Sequence, residues 1–578
     1  MKRSTYIWSL LVGCVAFATS CDLTENVQVK ADKSMIFGSK SGLELYSNSF
    51  YKALPTLKNG FMQDKMCDVG AVSNTDTFIK QGAYNTETAT SWSWGALKKV
   101  NYFIDGCNDP KYCTVEAETR DNYLGIARWF RAWFYYDKLT TYGEVPWFPN
   151  DIQSYQNDVM YKDRDSRDVI IRNLIADLDF AYEHIQATSS TGSATLTRWA
   201  AAALKSRVCL FEAAYRRYHN LTGLEITPEE LYREAAKAAK LVIDNSGCSL
   251  NTAAGKKGAY RDLFYSETPL TQEVILAVCA NEKSGIFGEQ NWWFNARSYG
   301  LCWSLVRSFV HTYLKQDGTP FTAAADYAVK SFAEEMEGRD LRLEQTVRGR
   351  NFLWDGKTAV ADIKNLSLTG YQVIKYTLDE SKYDGGAKNI NSIPLIRYAE
   401  VLLNYAEAQA ELGVITDSEW ALTVGALRKR AGITGGTETL PTTVDSYLQR
   451  TFYPDVTSPV LLEIRRERAI ELVAEGMRFD DLRRWKCGSL METLPWSGIH
   501  IPGLEQPVDV NGDGVNDYYF TEGEVASAPA AYKNIAVRVN QDGVGLYAEA
   551  NPVSGYDLVY KTGAGDRYWY PDGRQYLY

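Results

Sequence analysis

Between about residues 94 and 245 the apolar positions recur at three- and four-residue spacing, which predicts amphipathic helices. Leu97, Val100, Phe103 and Ile104 share one face of a first helix over 94–104, which Asp105–Gly106 is expected to end. In a second, over 116–139, Leu124, Ala127, Phe130, Phe134 and Lys138 run down adjoining turns, and Trp129, Trp133 and Tyr136 widen the apolar face. The stretch Thr140–Thr141–Tyr142–Gly143 stops it and Pro146 bars its resumption. A third covers 166–185, with Ser166 as N-cap and Ile170, Leu174, Leu178 and Ala181 in line. Thr197 opens a fourth, and Pro228 opens a fifth that runs to about 245.

The pattern then changes. Residues 246–390 are rich in Gly, Asn and aromatics, with short strand-like runs at 273–278 and 372–376. Helical spacing returns at 395–412, where Leu395, Tyr398, Leu402, Tyr405 and Gln409 form one stripe, and 418–431 is expected to pair with it. Ser458–Pro459 reads as an N-cap with Pro at the first position of a helix over 460–475, closed by Gly476. From about 495 the chain is Gly-, Pro- and Asn-rich with short strands. Helix pairs of this size suggest stacked hairpins of tetratricopeptide type, although no clean repeat is present.

Composition narrows the function. Apolar residues make up 45% and charged residues 23%, a globular balance that excludes a disordered or fibrous chain. The net charge is -10, and no Lys/Arg block occurs, so nucleic acid is not an expected partner. The four His, at 184, 219, 311 and 500, lie far apart, which removes helical zinc motifs. No Cys-x-x-Cys is present. Cys107 and Cys113 flank Asn108–Asp109–Pro110 and are candidates to close a small loop, whereas Cys209 sits in a helix pattern as a buried thiol.

The N-terminus reads as an address. Met1–Lys2–Arg3 is basic, an apolar stretch follows over 6–17, and small residues Ala18–Thr19–Ser20 precede Cys21. The apolar run is shorter than the ~20 residues that span a bilayer as a helix. The end of the signal resembles the lipobox of bacterial lipoproteins, with Ala18 where Leu is usual. That resemblance implies a lipidated Cys21 and an acyl anchor as the chain's only hold on the membrane. The plainer alternative is an ordinary secretory signal.

Motifs along the body point the same way. Residues 127–136 (ARWFRAWFYY), followed by 139–146 (LTTYGEVP), resemble the hallmark helix and exit of the SusD/RagB family of outer-membrane lipoproteins. In order, 100–104 (VNYFI), 176–179 (ADLD) with 197–208 (TRWAAAALKSRV), 393–408 (IPLIRYAEVLLNYAEA) and 464–472 (IRRERAIEL) with 476–485 (GMRFDDLRRW) also match family patterns. One departure is the end at Tyr576–Leu577–Tyr578, where the family usually continues with a short Pro-rich segment.

The resemblance implies a mainly α fold, a tetratricopeptide-like scaffold of helical hairpins whose irregular loops and short strands form the ligand face. The implied organisation is a signal peptide at 1–20, a lipidated tether at 21–35 and one SusD-like domain at 36–578. Within it, 36–245 is the N-terminal helical part, 246–390 the irregular ligand-face region and 391–578 the C-terminal part. It also implies a cell-surface protein without catalytic activity that captures oligosaccharides for a partner TonB-dependent outer-membrane barrel transporter (SusC-like). A peptide-capturing member of the family is the first alternative, and a secreted glycoside hydrolase the second.

Candidate site residues follow from chemistry. A sugar ring stacks its C–H face on Trp or Tyr, and its hydroxyls need Asn, Asp or Arg at the rim. Three clusters fit: Trp92 with Trp94; Asn291, Trp292, Trp293, Phe294 and Asn295 with Arg297 and Tyr299; and Trp354 with Asp355. Each also has a plainer reading as core or incidental exposure, which is the stronger one for Trp94, Trp92 and Trp354 and stands level with a ligand role for Trp292 and Trp293. Separately, Asp509, Asn511 and Asp513 alternate, Gly514 permits a sharp turn, and the Val515 carbonyl and Asp517 complete an oxygen set for a structural Ca2+. Phe520 stands where an EF-hand has Glu, so a plain Asp/Asn/Gly turn is the alternative. Glu463, Glu467, Glu471 and Glu475 form a carboxylate column in which a glycosidase pair is conceivable, but the interleaved Arg465, Arg466 and Arg468 favour a salt-bridged helix. No Gly-x-Ser-x-Gly nucleophile elbow occurs.

Overall fold

The scaffold helices start where capping chemistry says they should. Ser166 accepts the Val169 N–H ahead of one helix, Thr227 and Glu230 form a reciprocal capping box ahead of another, and Ser458 accepts the Leu461 N–H ahead of a third. Each such cap contributes about 1 kcal/mol. The computed structural model describes residues 33–58, 62–83, 92–153, 155–296, 300–522, 531–539, 541 and 543–570. The signal peptide, Cys21, most of the tether, Arg297 and Tyr299 lie outside the described residues.

Helices α1 (Gly95–Asn108), α2 (Ala117–Tyr142), α3 (Arg167–His184), α4 (Arg198–Tyr218) and α5 (Pro228–Asn245) each pack on the next. The chain then leaves the stack. It returns as α7 (Tyr398–Glu411), which packs back on α5 after an insertion whose short helices include α6 (Gln290–Asn295). Next come the short α8 (Asp417–Leu422) and α9 (Val424–Arg430), then α10 (Pro459–Glu471) against α7 and α11 (Arg478–Arg484) against α4. The neck of the insertion is an antiparallel pair, β1 (Val274–Val278) and β4 (Ile393–Arg397), with Val274 opposite Arg397. Within the insertion, β2 (Leu353–Trp354) and β3 (Lys357–Thr358) form a hairpin. After α11 come two small sheets. One has the order β9 (Gly545–Ala550), β10 (Tyr556–Lys561), β5 (Ser497–Ile501); the other joins β6 (Pro507–Val508), β7 (Tyr518–Glu522) and β8 (Lys533–Val537), with β7 and β8 parallel.

Several expectations change. The first helix does not stop at Gly106 but runs to Asn108, because the missing side chain makes room for the Phe37 ring, which a Cβ would meet at 2.0 Å. The second runs to Tyr142 and stops at Gly143, whose φ of 76° suits glycine. Segment 418–431 is two short helices meeting at Thr423 (φ -108°, ψ -93°), and the broad face of α7 packs on α5 instead. Segment 372–376 holds isolated bridges rather than a strand. Cys107 and Cys113 are free thiols, both raised above the ordinary thiol range by burial.

The motif residues turn out to be buried ties between helices. Arg131 of α2 makes two 2.7 Å hydrogen bonds to Asp177 of α3. Arg207 of α4 makes two of 2.6 Å to Glu400 of α7. Arg468 of α10 reaches Asn404 of α7 and Asp481 of α11, and Arg484 of α11 grips Glu407 of α7. The glutamate column does not pair mainly along its own helix, as expected from sequence. Glu471 binds Arg342 from the insertion (2.8 Å), Arg397 from its neck (2.7 Å) and Arg430 from α9 (2.5 Å). Glu467 binds Arg342 and Arg428, Glu463 binds Arg428, and Glu475 binds Arg397 and Lys375. No side chain in these pairs is more than 10% exposed. Burial alone would raise the Glu471 carboxyl, but Arg430, Arg397 and Arg342 hold it well below the usual carboxylate range.

Removing one partner from such a network strands a buried charge. Glu471→Gln is expected to lower stability by about 3–5 kcal/mol. Arg172→Ala, which breaks the exposed Arg172–Glu225 pair, should cost about 0–1 kcal/mol. Urea unfolding of the two variants checks the contrast.

Asp64 gives a pH signature. One of its oxygens accepts the Gly476 N–H at 3.0 Å and the other is buried without a partner. Burial pushes its carboxyl up to about 7, against the smaller pull of the Gly476 N–H and Lys375. The folded chain therefore holds a proton that the unfolded chain has released, so stability from this group falls as pH rises from about 4 to about 7. Asp64→Asn removes that slope. Thermal unfolding at pH 4 and pH 8 should show the variant gaining on the parent at the higher pH, by on the order of 2–4 kcal/mol.

Candidate functional site

The insertion and the C-terminal sheets meet around a cleft of about 620 Å³. One wall is the β2–β3 hairpin, where Asp355 (φ 49°) and Gly356 (φ 73°) make the turn and Trp354 faces the opening. The Trp354 ring lies near-parallel to Phe352 at 6.3 Å, and the Arg348 guanidinium sits 5.4 Å over it. Arg348 is buried, donates to the Val360 carbonyl at 3.1 Å, and keeps its Nε buried without an acceptor. Burial lowers its pKa to about 10, although Asp362, Asp379 and Asp384 oppose the shift. A desolvated donor with no acceptor among the described residues costs free energy until a partner reaches it.

The facing wall is the loop between β6 and β7. Asp509 accepts the N–H groups of Gly512 (2.7 Å) and Gly514 (2.8 Å), Asn511 accepts from Asp513, and Asp513 accepts from Val515. Asp517 accepts the Val510 N–H at 3.0 Å. Its carboxyl is raised chiefly by burial, with the Val510 N–H opposing and the negative charges of Asp513 and Asp509 adding to the rise. Asn511, Asp513, Val515 and Asp517 all line the cleft. Among the described residues, no three His, Cys, Asp or Glu side chains gather as a metal-binding group.

Two sequence clusters, at 354 and at 509–517, thus share one cleft. The third divides. Asn291, expected at the ligand rim, is fully buried and spends its amide on the Leu378 carbonyl, the Leu378 N–H and Asn389. Trp292 and Trp293 lie with ring centroids 4.8 Å apart, and Trp293 packs partly against the core. The residue of α6 that lines the cleft is Asn295, which with Asn291 donates to Asp384 at 3.2 Å. Burial raises the Asp384 carboxyl, and the two amides oppose that rise. Arg348, Asp384 and Lys533 were not singled out from sequence: none lies in a motif, and only the folded insertion brings them together.

Trp92 belongs elsewhere. It lines a second cleft, of about 750 Å³, between the start of α1 and the segments 146–152 and 160–164. Its ring packs edge-on to Trp94 (5.2 Å) and Tyr142 (4.9 Å).

Comparison places this architecture. A family model described as the SusD family matches residues 272–571. A SusD-like protein from Bacteroides fragilis, 21% identical, superposes with a TM-score of 0.63 over 95% of this chain and 95% of its own. A SusD-like carbohydrate-binding protein from the same organism, 19% identical, gives 0.64 over 94% and 99%. A further structure, described as solved with xylogluco-oligosaccharide, is 18% identical, with 0.51 over 78% and 85%. No curated protein sequence matches the chain. No helix among the described residues is long and apolar enough to cross a membrane.

Proposed function

The chain belongs to the SusD family, and from that premise we propose that it is a cell-surface lipoprotein, anchored in the outer membrane through Cys21, that captures oligosaccharides without cleaving them. The captured glycan passes to a TonB-dependent outer-membrane barrel of the SusC-like kind. The observation that carries the capture reading is the first cleft. An indole plate, Trp354, stands beside the unmet Nε of Arg348, the amide of Asn295 and the carboxylates of Asp384, Asp513 and Asp517. That is the pairing of flat apolar face and hydroxyl partners a sugar requires.

Calorimetry with a panel of neutral oligosaccharides and peptides tests this reading. A neutral oligosaccharide is expected to bind, with Trp354→Ala weakening it by about tenfold or more, a loss of roughly 1.4 kcal/mol or above. Release of reducing ends by the pure protein would instead favour a hydrolase, and selective binding of peptides the peptide-capturing alternative. Purification from native membranes is expected to bring a large barrel protein with it.

We also propose that the 509–517 loop takes a structural Ca2+. Support comes from the alternating oxygens of Asp509, Asn511 and Asp513, and from Asp517, whose carboxyl is raised by burial first and then by the nearby charges of Asp513 and Asp509. Asn511 and the Val515 carbonyl must complete the shell. Calcium at 100 times its dissociation constant should stabilise the chain by about 2.7 kcal/mol, and Asp513→Asn should remove most of that gain in thermal unfolding with and without chelator.

A further inference from the structure

The second cleft differs from the first in charge. Its floor and walls are apolar and aromatic, with Trp92, Trp94, Leu97, Phe148 and Ile152, and Tyr161 stands at the mouth, 79% exposed. Trp92 itself is 38% exposed. Three cations reach the lining. Lys162 is spent on Asp165 at 2.6 Å. Lys98 donates to the Ile152 carbonyl and has no carboxylate partner among the described residues. Arg164 lies 5.9 Å over the Trp92 ring and has neither a hydrogen-bond acceptor nor an ion pair among the described residues. Among the described residues, Asp163, exposed at the rim, is the one carboxylate on the lining. The described lining is therefore net positive on a chain whose net charge is -10.

A buried group adds to the case. Asn101 donates to the carbonyls of Phe148 (2.8 Å) and Asn150 (3.0 Å), which sets the orientation of its amide. Its Oδ1 is left buried without a donor among the described residues. An entering hydroxyl can supply one.

We propose that this cleft is a second, separate carbohydrate site selective for acidic sugars. A uronate ring lies between the Trp92 and Tyr161 faces, and its carboxylate is held by the planar fork of Arg164 with help from Lys98. Arginine suits this task because its fork matches a carboxylate with two parallel hydrogen bonds while its flat face stays on an indole. The volume fits a short oligosaccharide segment, within the range of about 300–1,000 Å³ usual for ligand clefts. The inference rests on the glycan-capture reading but uses a different set of residues from the Trp354 cleft.

The test is calorimetry of the mature chain with oligogalacturonate and with the same oligomer methyl-esterified, which keeps the rings and removes the charge. The acid is expected to bind at least tenfold more tightly than the ester, and to weaken as NaCl rises from 50 to 500 mM. Arg164→Ala should cost tenfold or more for the acid, Arg164→Lys less, and Trp92→Ala should weaken acid and ester alike. Trp354→Ala should leave acid binding unchanged. Equal affinity for acid and ester, indifference to Arg164→Ala, or loss of acid binding in Trp354→Ala would each overturn the proposal. Binding of a neutral oligosaccharide through Trp354 with no binding of oligogalacturonate overturns this site alone. Binding of neither class overturns the capture reading with it. Unchanged thermal unfolding of the variants excludes misfolding as the cause.

Discussion

Glu471 is the point on which the rest of the molecule turns. Its carboxylate, with no contact with water, is shared by Arg342, Arg397 and Arg430, which come from the insertion, its neck and the α9 helix. Taking one carboxylate and three guanidinium groups out of water is expensive, and the cost is offset only if every charge finds its partners. Glu273, Asp340, Glu467 and Glu475 supply the remaining partners. The arrangement is all-or-none. A helix stack that shifted by one turn, or an insertion docked differently, would leave charges stranded in the core. The network thus specifies position more than it adds stability.

That positional control matters because the insertion has little regular structure of its own. Its strands are short, and the cleft at its edge is assembled from a short hairpin, a short helix and a loop from the C-terminal sheet. Such segments hold a site only when anchored to something rigid. The anchors are the β1–β4 neck at the stack, the Arg342–Glu471 tie beneath, and Tyr518, whose hydroxyl donates to the Ala361 carbonyl at 2.6 Å and fastens the C-terminal hairpin to the insertion. The second cleft is built differently, from the scaffold's own helix starts and exits. The two clefts therefore rest on different parts of the fold.

Much of the scaffold was legible from the sequence, and physics explains which parts. Apolar spacing and capping residues are local signals, so α2 to α5 and the start of α10 fall where Ser166, Pro228 and Ser458 announce them. The partner of α7 was not legible, because α5 lies on the far side of an insertion and no local pattern records that return. The glutamate column read as a salt-bridged helix because Arg465, Arg466 and Arg468 interleave with it. Only burial shows that Arg342, Arg397 and Arg428 are its main partners. Trp354 and the 509–517 loop, both singled out from composition, line one cleft, but composition could not tell which side of α6 faces it. So short a helix has no period to read: of the two amides placed in one cluster, Asn295 lines the cleft and Asn291 is buried.

On the proposed function, a charge-locked helical stack holds an aromatic, polar cleft in place to grip a glycan and leave it whole. A crystal structure of the chain soaked with a bound oligosaccharide tests this most directly. The account predicts unbroken glycosidic bonds, a sugar ring against the Trp354 indole, an oxygen on Arg348 Nε and scaffold helices unmoved. A sugar bound away from both clefts, or cleaved within them, would contradict it.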